Sequence, residues 1–237
     1  VTELWLKSFD LRALQKLGCF LLERPMNTQV IKIAAEAYPA RELKMIVSVL
    51  RKNGVIVYPT ETFYGLGANS LSPPAVKKIF ALKRRDRTKP LPVVISDREM
   101  LDSLAAEIPP AAEPFLRLYW PGPLTLIFPA NPLLPRELLG AAKTVGVRLP
   151  AHSGLRDLVK NAGFPITATS ANISGESELS DPKEVYDTFA GRVDCIVDGG
   201  NTKGGHPSTV VDLTSRKPRI LREGAIPASE LKRWLEG

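Results

Sequence analysis

Apolar positions along this chain recur with two periods, one that fits strands and one that fits helices. Val55, Ile56, Val57 and Tyr58 form a β-branched and aromatic run between Gly54 and Pro59, the pattern of a buried strand. Further on, Ser72 is placed to cap a helix opening on Pro73, with Val76, Ile79 and Phe80 at spacings of three and four and Lys83 next in the series. Lys83 is therefore expected to lean toward the protein, whereas Lys77 and Lys78 take the outer face. Upstream, Leu43, Ile46, Val47 and Leu50 mark another helix, and Leu11, Leu14, Leu17 and Leu21 or Leu22 a short amphipathic one.

Downstream, residues 91–96 (LPVVIS) read as a strand, followed by a helix capped by Asp97 and carrying Met100, Leu101 and Leu104. Pro109 and Pro110 break the chain. A helix with Phe115, Leu116, Tyr119 and Trp120 follows and stops at Pro121. Strands are expected over 124–128 and 145–149, and in the second the alternation puts Arg148 on the face opposite Val145, Val147 and Leu149. A helix over 154–162 and a strand over 165–170 lead into the polar, glycine-containing segment 172–180, read as a mobile loop. Asp181 and Pro182 start another helix. Strands over 195–197, 209–213 and 219–221, a flexible connection over 199–205, and a terminal helix from Pro227 with Leu231, Trp234 and Leu235 complete the chain. Alternating helices and strands imply an α/β fold with a mixed sheet.

Composition narrows the picture little. A chain of 237 residues with 44% hydrophobic content is ordinary for one large domain or two small ones, and no apolar run approaches the ~18 residues of a membrane helix. Cys19 and Cys195, with no CxxC, suggest neither a disulfide framework nor a zinc site, and point to reduced thiols in a cytoplasmic protein. The net charge of +7 favours anionic partners without separating nucleotide, RNA or membrane surface.

Charge is concentrated where it changes the reading. Seven of the thirteen residues from Lys77 to Lys89 are Lys or Arg, offset only by Asp86. They follow a strand end carrying Thr60, Glu61 and Thr62 and a turn with Gly65 and Gly67. Such an arrangement describes a pocket for a small, highly anionic ligand, most simply a nucleoside triphosphate, or equally a solvated basic face. There is no GxxxxGK[ST] loop, no third glycine of a dinucleotide fingerprint and no GxSxG elbow. The two histidines, His152 and His206, sit in no metal spacing and read as structural or exposed, with His152 a candidate for the pocket rim.

Residues 58–67 (YPTETFYGLG), Lys83-Arg84-Arg85 and Lys89-Pro90-Leu91 resemble the signature of the YrdC-like threonylcarbamoyl-AMP synthase family. So do Trp120-Pro121-Gly122-Pro123-Leu124-Thr125, Val147-Arg148-Leu149-Pro150, Thr169-Ser170-Ala171-Asn172, Pro207-Ser208-Thr209-Val210-Val211-Asp212 and Arg222-Glu223-Gly224. The resemblance implies a single YrdC-like domain over 41–237, a twisted mixed β-sheet flanked by helices around a concave basic cleft. Residues 1–40 are then an N-terminal extension, poorly ordered or an over-extended start before Met26.

By that resemblance the activity is condensation of L-threonine, bicarbonate or CO2 and ATP to threonylcarbamoyl-AMP and pyrophosphate, for the threonylcarbamoyladenosine modification of tRNA. Such a reaction needs alignment and charge neutralisation rather than a protein nucleophile. The carried-over threonine contacts are Thr60, Arg148 and Ser208. The carried-over nucleotide contacts are Lys83, Arg85, Thr144, Ser170, Asn172, Ser180 and Arg222, with Arg87 and Lys89 as weaker candidates. Mg2+ is expected to arrive with ATP, and no resident metal is implied. Expected partners are tRNA or double-stranded RNA and the downstream tRNA threonylcarbamoyl-transfer proteins. One departure stands out: some relatives carry a histidine in the strand after the KPL element, where this chain has Pro92, Val93 and Val94. An RNA-binding relative of the same fold without synthase activity is the alternative.

Overall fold

The computed structural model describes residues 27–34, 37–141 and 143–235. The helix expected over Leu11–Leu22, and Cys19 with it, lies outside the described residues. In chain order the elements are β1 (Gln29–Lys32), α1 (Ala40–Arg51), β2 (Ile56–Tyr58), β3 (Gly65–Gly67), α2 (Pro73–Lys83) and β4 (Val93–Val94). Then come α3 (Glu99–Leu104), α4 (Glu113–Tyr119), β5 (Leu124–Pro129), α5 (Arg136–Leu139), β6 (Thr144–Arg148) and α6 (Ser153–Ala162). β7 (Ile166–Thr167), β8 (Thr169–Ser170), α7 (Pro182–Phe189), β9 (Cys195–Asp198), β10 (Thr209–Asp212), β11 (Arg219–Arg222) and α8 (Ala228–Leu231) close the series.

The strands form two mixed sheets where the sequence suggested one. The first has the order β1-β9-β2-β3-β8 and the second β11-β10-β5-β6-β4-β7. Within the first, β1 and β2 both run parallel to β9, while β3 is antiparallel to β2 and to β8. Strand β1 falls inside the segment read from the sequence as preceding the domain. The division arises at Ala168, where the single strand expected over 165–170 splits in two. Val93 and Val94 pair with Thr167 and Ile166 in the second sheet, and the next residues pair as Leu66 with Thr169 and Gly65 with Ser170 in the first. The strand expected over 91–96 is also shorter, because Pro92 has no N–H to give to a ladder.

Strand β2 buries both faces, which is why its sequence is a continuous apolar run rather than an alternation. Ile56 and Tyr58 pack in one core with Ile46 and Leu50 of α1 and Leu155 and Leu158 of α6. Val57 belongs to the other core, with Leu66, Ile79 and Phe80. At α2, Ser72 occupies the N-cap position and Pro73 the first turn as expected, although the Ser72 hydroxyl makes no capping hydrogen bond. Asp97 and Asp181 do accept from N–H groups at the starts of their helices. The C-terminal helix is shorter than expected and continues over Lys232–Trp234 as a 3-10 turn.

Gly65 and Gly67 serve the packing of β3 rather than a ligand turn alone. The Tyr58 ring, 1% exposed and pinned by its hydroxyl donating to Thr167 O at 2.9 Å, lies across them. A Cβ on Gly67 would stand 2.7 Å from Tyr58 Cε1 and 2.9 Å from Cδ1. Gly67→Ala is therefore expected to destabilise the fold by about 1–3 kcal/mol through overpacking. Chemical denaturation should show this as a lower midpoint with an unchanged slope.

Candidate active site

The side chains that the sequence singles out are delivered by strand ends of both sheets and by the loops between them. A cavity of about 620 Å3 opens between these elements. Thr60, Lys83, Arg85 and Arg148 line it, as do Ser170, Asn172, Ser208 and Arg222. Thr144 and Ser180 do not. Thr144 starts β6 opposite Pro129, one pleat repeat beyond Gly146. Ser180 instead accepts through its carbonyl from Thr202 N. Lys89, Asp86 and Glu178 also line the wall, and Pro92 and Val94 form part of its apolar floor.

Lys83 stands where the helical period put it, at the inner end of α2 and only 3% exposed. Its ammonium donates to Ser170 O at 2.6 Å, Asn172 Oδ1 at 2.7 Å and Asn172 O at 2.9 Å. All three N–H bonds of the amine are thereby committed. Lys83 thus braces the 169–172 turn and contributes positive charge to the cavity rather than a free donor. The turn is braced further by the Ser170 hydroxyl donating to Asn172 Oδ1 at 2.8 Å. Burial, and then Arg85, pull the Lys83 pKa down from its ordinary value to about 8, with Glu178 opposing.

Arg84 ends α2 in the left-handed conformation, φ 50°. That reversal returns Arg85 to the cavity wall. Arg85 Nη2 donates to Pro90 O at 3.0 Å, while Nε is buried with no acceptor among the described residues. A phosphate oxygen is the kind of group that would satisfy it. Two lysines of the basic run turn elsewhere: Lys77 pairs with Glu137 at 3.1 Å, and Lys78 Nζ donates to Asn53 O at 2.8 Å.

At the other end, Arg148 is held from two sides. Its Nε donates to Gly122 O at 3.2 Å, and its Nη2 lies 2.7 Å from Glu61 Oε1 as an ion contact. Burial pushes the Glu61 carboxyl up, but Arg148 and the Ala151 N–H outweigh it and hold the group below the usual carboxylate range. Nearby, the Thr60 hydroxyl donates to Phe63 O at 2.7 Å and accepts from Thr62 N at 3.1 Å. Ser208 Oγ is 2.9 Å from Thr125 Oγ1, and Arg222 donates through Nη2 to Ser208 O at 2.8 Å. So Arg222 touches the serine read as a threonine contact.

Two sequence readings change here. His152 is not on the rim: it is 4% exposed, caps α6 by accepting from Leu155 N at Nδ1, and stands edge-on to Tyr38. Glu61, passed over in favour of its threonine neighbours, is the acidic partner of Arg148. His206 is exposed, as expected.

A family model named Sua5/yciO/yrdC and described as telomere recombination matches residues 48–224. The chain belongs to the Sua5/YciO/YrdC family. It is similar to the threonylcarbamoyl-AMP synthase of Pyrococcus abyssi, 42% identical over 192 residues that make up 81% of this chain and 56% of that protein. The Bacillus subtilis threonylcarbamoyl-AMP synthase is 39% identical over 193 residues, with the same two shares of 81% and 56%. The chain therefore spans a little over half the length of these curated relatives. Among solved structures it resembles P. abyssi Sua5 complexed with L-threonine, with a TM-score of 0.83, 40% identity, and coverage of 88% of this chain and 61% of that one. As a member of the Sua5/YciO/YrdC family, it has the mixed α/β architecture of its structural neighbours. Among the described residues no helix is long and apolar enough to cross a membrane.

Proposed function

We propose that this domain is an L-threonylcarbamoyladenylate synthase. The observation that carries the reading is the meeting, in one cavity, of a fork-shaped cation suited to a carboxylate and a second cationic group suited to phosphates. Arg148, with Thr60 and Ser208, receives L-threonine. Lys83, Arg85, Ser170, Asn172 and Arg222 receive ATP. The threonine nitrogen adds to CO2 and loses a proton, giving a carbamate. A carbamate oxygen then attacks the α-phosphorus, the bond from that phosphorus to the bridging oxygen of the β-phosphate breaks, and pyrophosphate leaves. The protein's task is to hold two anions that repel each other and to offset the charge on the leaving group.

Mg2+ enters this reading as the companion of the triphosphate. Among the described residues no group of three or more His, Cys, Asp or Glu could hold a metal ion. Asp86 and Glu178, in the cavity wall, are carboxylates available to the water shell of an ion that the phosphates carry. The adenylate is the activated donor for tRNA threonylcarbamoylation by a transfer protein, which gives the domain a cytoplasmic setting and an RNA-linked partner.

Release of pyrophosphate that requires threonine, bicarbonate and ATP together is the expected result. Release without threonine would overturn the reading. Salt-sensitive RNA binding with no release would favour the RNA-binding alternative. The lowered pKa of Lys83 adds a pH signature. In the free domain the amine loses its charge as pH rises through about 8, and bound phosphates favour the ammonium. ATP affinity should therefore fall above pH 8, with proton uptake on binding. Calorimetry in buffers of different ionisation enthalpy reads both.

A further inference from the structure

We infer that Glu61 is a positioning residue for Arg148, fixing the direction of its guanidinium and balancing its charge so that an incoming carboxylate binds at the free end of the fork. The inference rests on the proposal that Arg148 receives the carboxylate of threonine.

Three observations carry it. Arg148 lines the cavity, whereas Glu61 and Gly122, which hold it, do not. The guanidinium is thus held by one hydrogen bond from Nε and by an ion contact at Nη2, which is buried and makes no hydrogen bond among the described residues, while Nη1 makes neither contact there. Secondly, the grip is itself anchored. Glu61 Oε1 also accepts from Ala151 N at 3.0 Å, so one carboxylate oxygen joins the turn after β2 to the end of β6. Thirdly, the two side chains are only 10% and 14% exposed, so their charges are largely withdrawn from water. A buried guanidinium without this carboxylate would stand uncompensated beside the other cations of the wall.

Compensation has a second consequence. Glu61 competes, through space, with any anion that approaches Arg148, so the pair sets an affinity low enough for the amino acid to leave again. Glu61 Oε2 is buried with no hydrogen-bond donor among the described residues. Glu61→Gln keeps an oxygen that can accept from Ala151 N and stand beside Arg148 Nη2. It removes the charge and leaves that oxygen and its backbone anchor. Glu61→Ala removes both.

Threonine affinity measured by calorimetry in wild type and both variants separates these roles. Glu61→Gln should bind threonine about threefold or more tightly than wild type, and Glu61→Ala at least about tenfold more weakly. Unchanged affinity in both variants, or equal weakening in both, would overturn the inference, the latter because Glu61 would then only hold its turn. A readout in the free protein keeps the inference separate from the functional reading: solvent exchange of the Arg148 Nε–H, followed by NMR and assigned with an Arg148→Lys variant. It should accelerate at least about tenfold in Glu61→Ala and stay within about threefold in Glu61→Gln. Wild type that binds no threonine would refute the proposed function, while equal exchange rates in all three proteins would refute only the role of Glu61.

Discussion

Lys83→Ala is expected to lower threonine-dependent pyrophosphate release at least about a hundredfold, the order expected when preorganised electrostatic stabilisation is removed from an active site. Two effects add in the same direction. The cavity loses a positive charge facing the phosphates, and the 169–172 turn loses the group that gathers Ser170 O, Asn172 O and Asn172 Oδ1. Those oxygens are then left to find other donors in a buried setting. Lys83→Met fills the volume without the charge, so it distinguishes chemistry from packing. Its thermal midpoint should lie above that of Lys83→Ala while its turnover stays as low. Recovery of turnover in Lys83→Met would mean that the charge is not what matters.

The second large effect concerns Arg148. Arg148→Ala should raise the dissociation constant for threonine at least about thirtyfold, since truncating one member of a buried charge pair costs about 2–5 kcal/mol. Arg148→Lys should recover little of it, because a single ammonium cannot keep Gly122 O, Glu61 and a ligand carboxylate on one planar group. Stability carries an independent sign. In wild type the Glu61 carboxyl is held below its ordinary value, so its contribution is present at neutral pH and lost as pH falls through that lowered value. Without Arg148 the remaining largest influence is burial, which raises the carboxyl and reverses the sign. The variant's deficit in thermal midpoint should therefore be greater at pH 7 than near pH 4. A deficit that does not change with pH would mean that Glu61 is solvated once its partner is gone.

What the sequence disclosed about this site depended on period. Lys83 was readable because helical spacing from Val76, Ile79 and Phe80 fixes a direction, and Arg148 because strand alternation does the same. Both directions hold in the fold. Arg85 was readable as a motif member only. Its return to the cavity depends on Arg84 adopting a positive φ, which a non-glycine residue gives no sign of in sequence. Glu61 could not be matched to Arg148 at all, since no periodicity relates a residue in the turn after β2 to one at the end of a strand in the other sheet. Thr144 was placed by its proximity to Arg148 and Ser180 as part of the 172–180 loop, and neither is among the residues that line the cavity. The two-sheet architecture was hidden for a similar reason: a change of partner at Ala168 leaves the residue pattern of 165–170 uninterrupted.

That change of partner constrains how a substrate can enter. One peptide segment is sewn into both walls of the chamber, with Ala168 N donating to Pro92 O on one side and Thr167 N to Ala68 O on the other. The Tyr58 hydroxyl adds a further stitch through Thr167 O. Walls joined in this way share one seam, about which any relative movement has to bend, and the coil segments of the mouth add ties of their own. Those segments are themselves laced together, Tyr64 to Leu179, Thr202 to Ser180 and Gly204 to Thr62 through backbone bonds. A ligand entering the chamber thus passes a rim whose three coil segments are tied to one another through main-chain bonds.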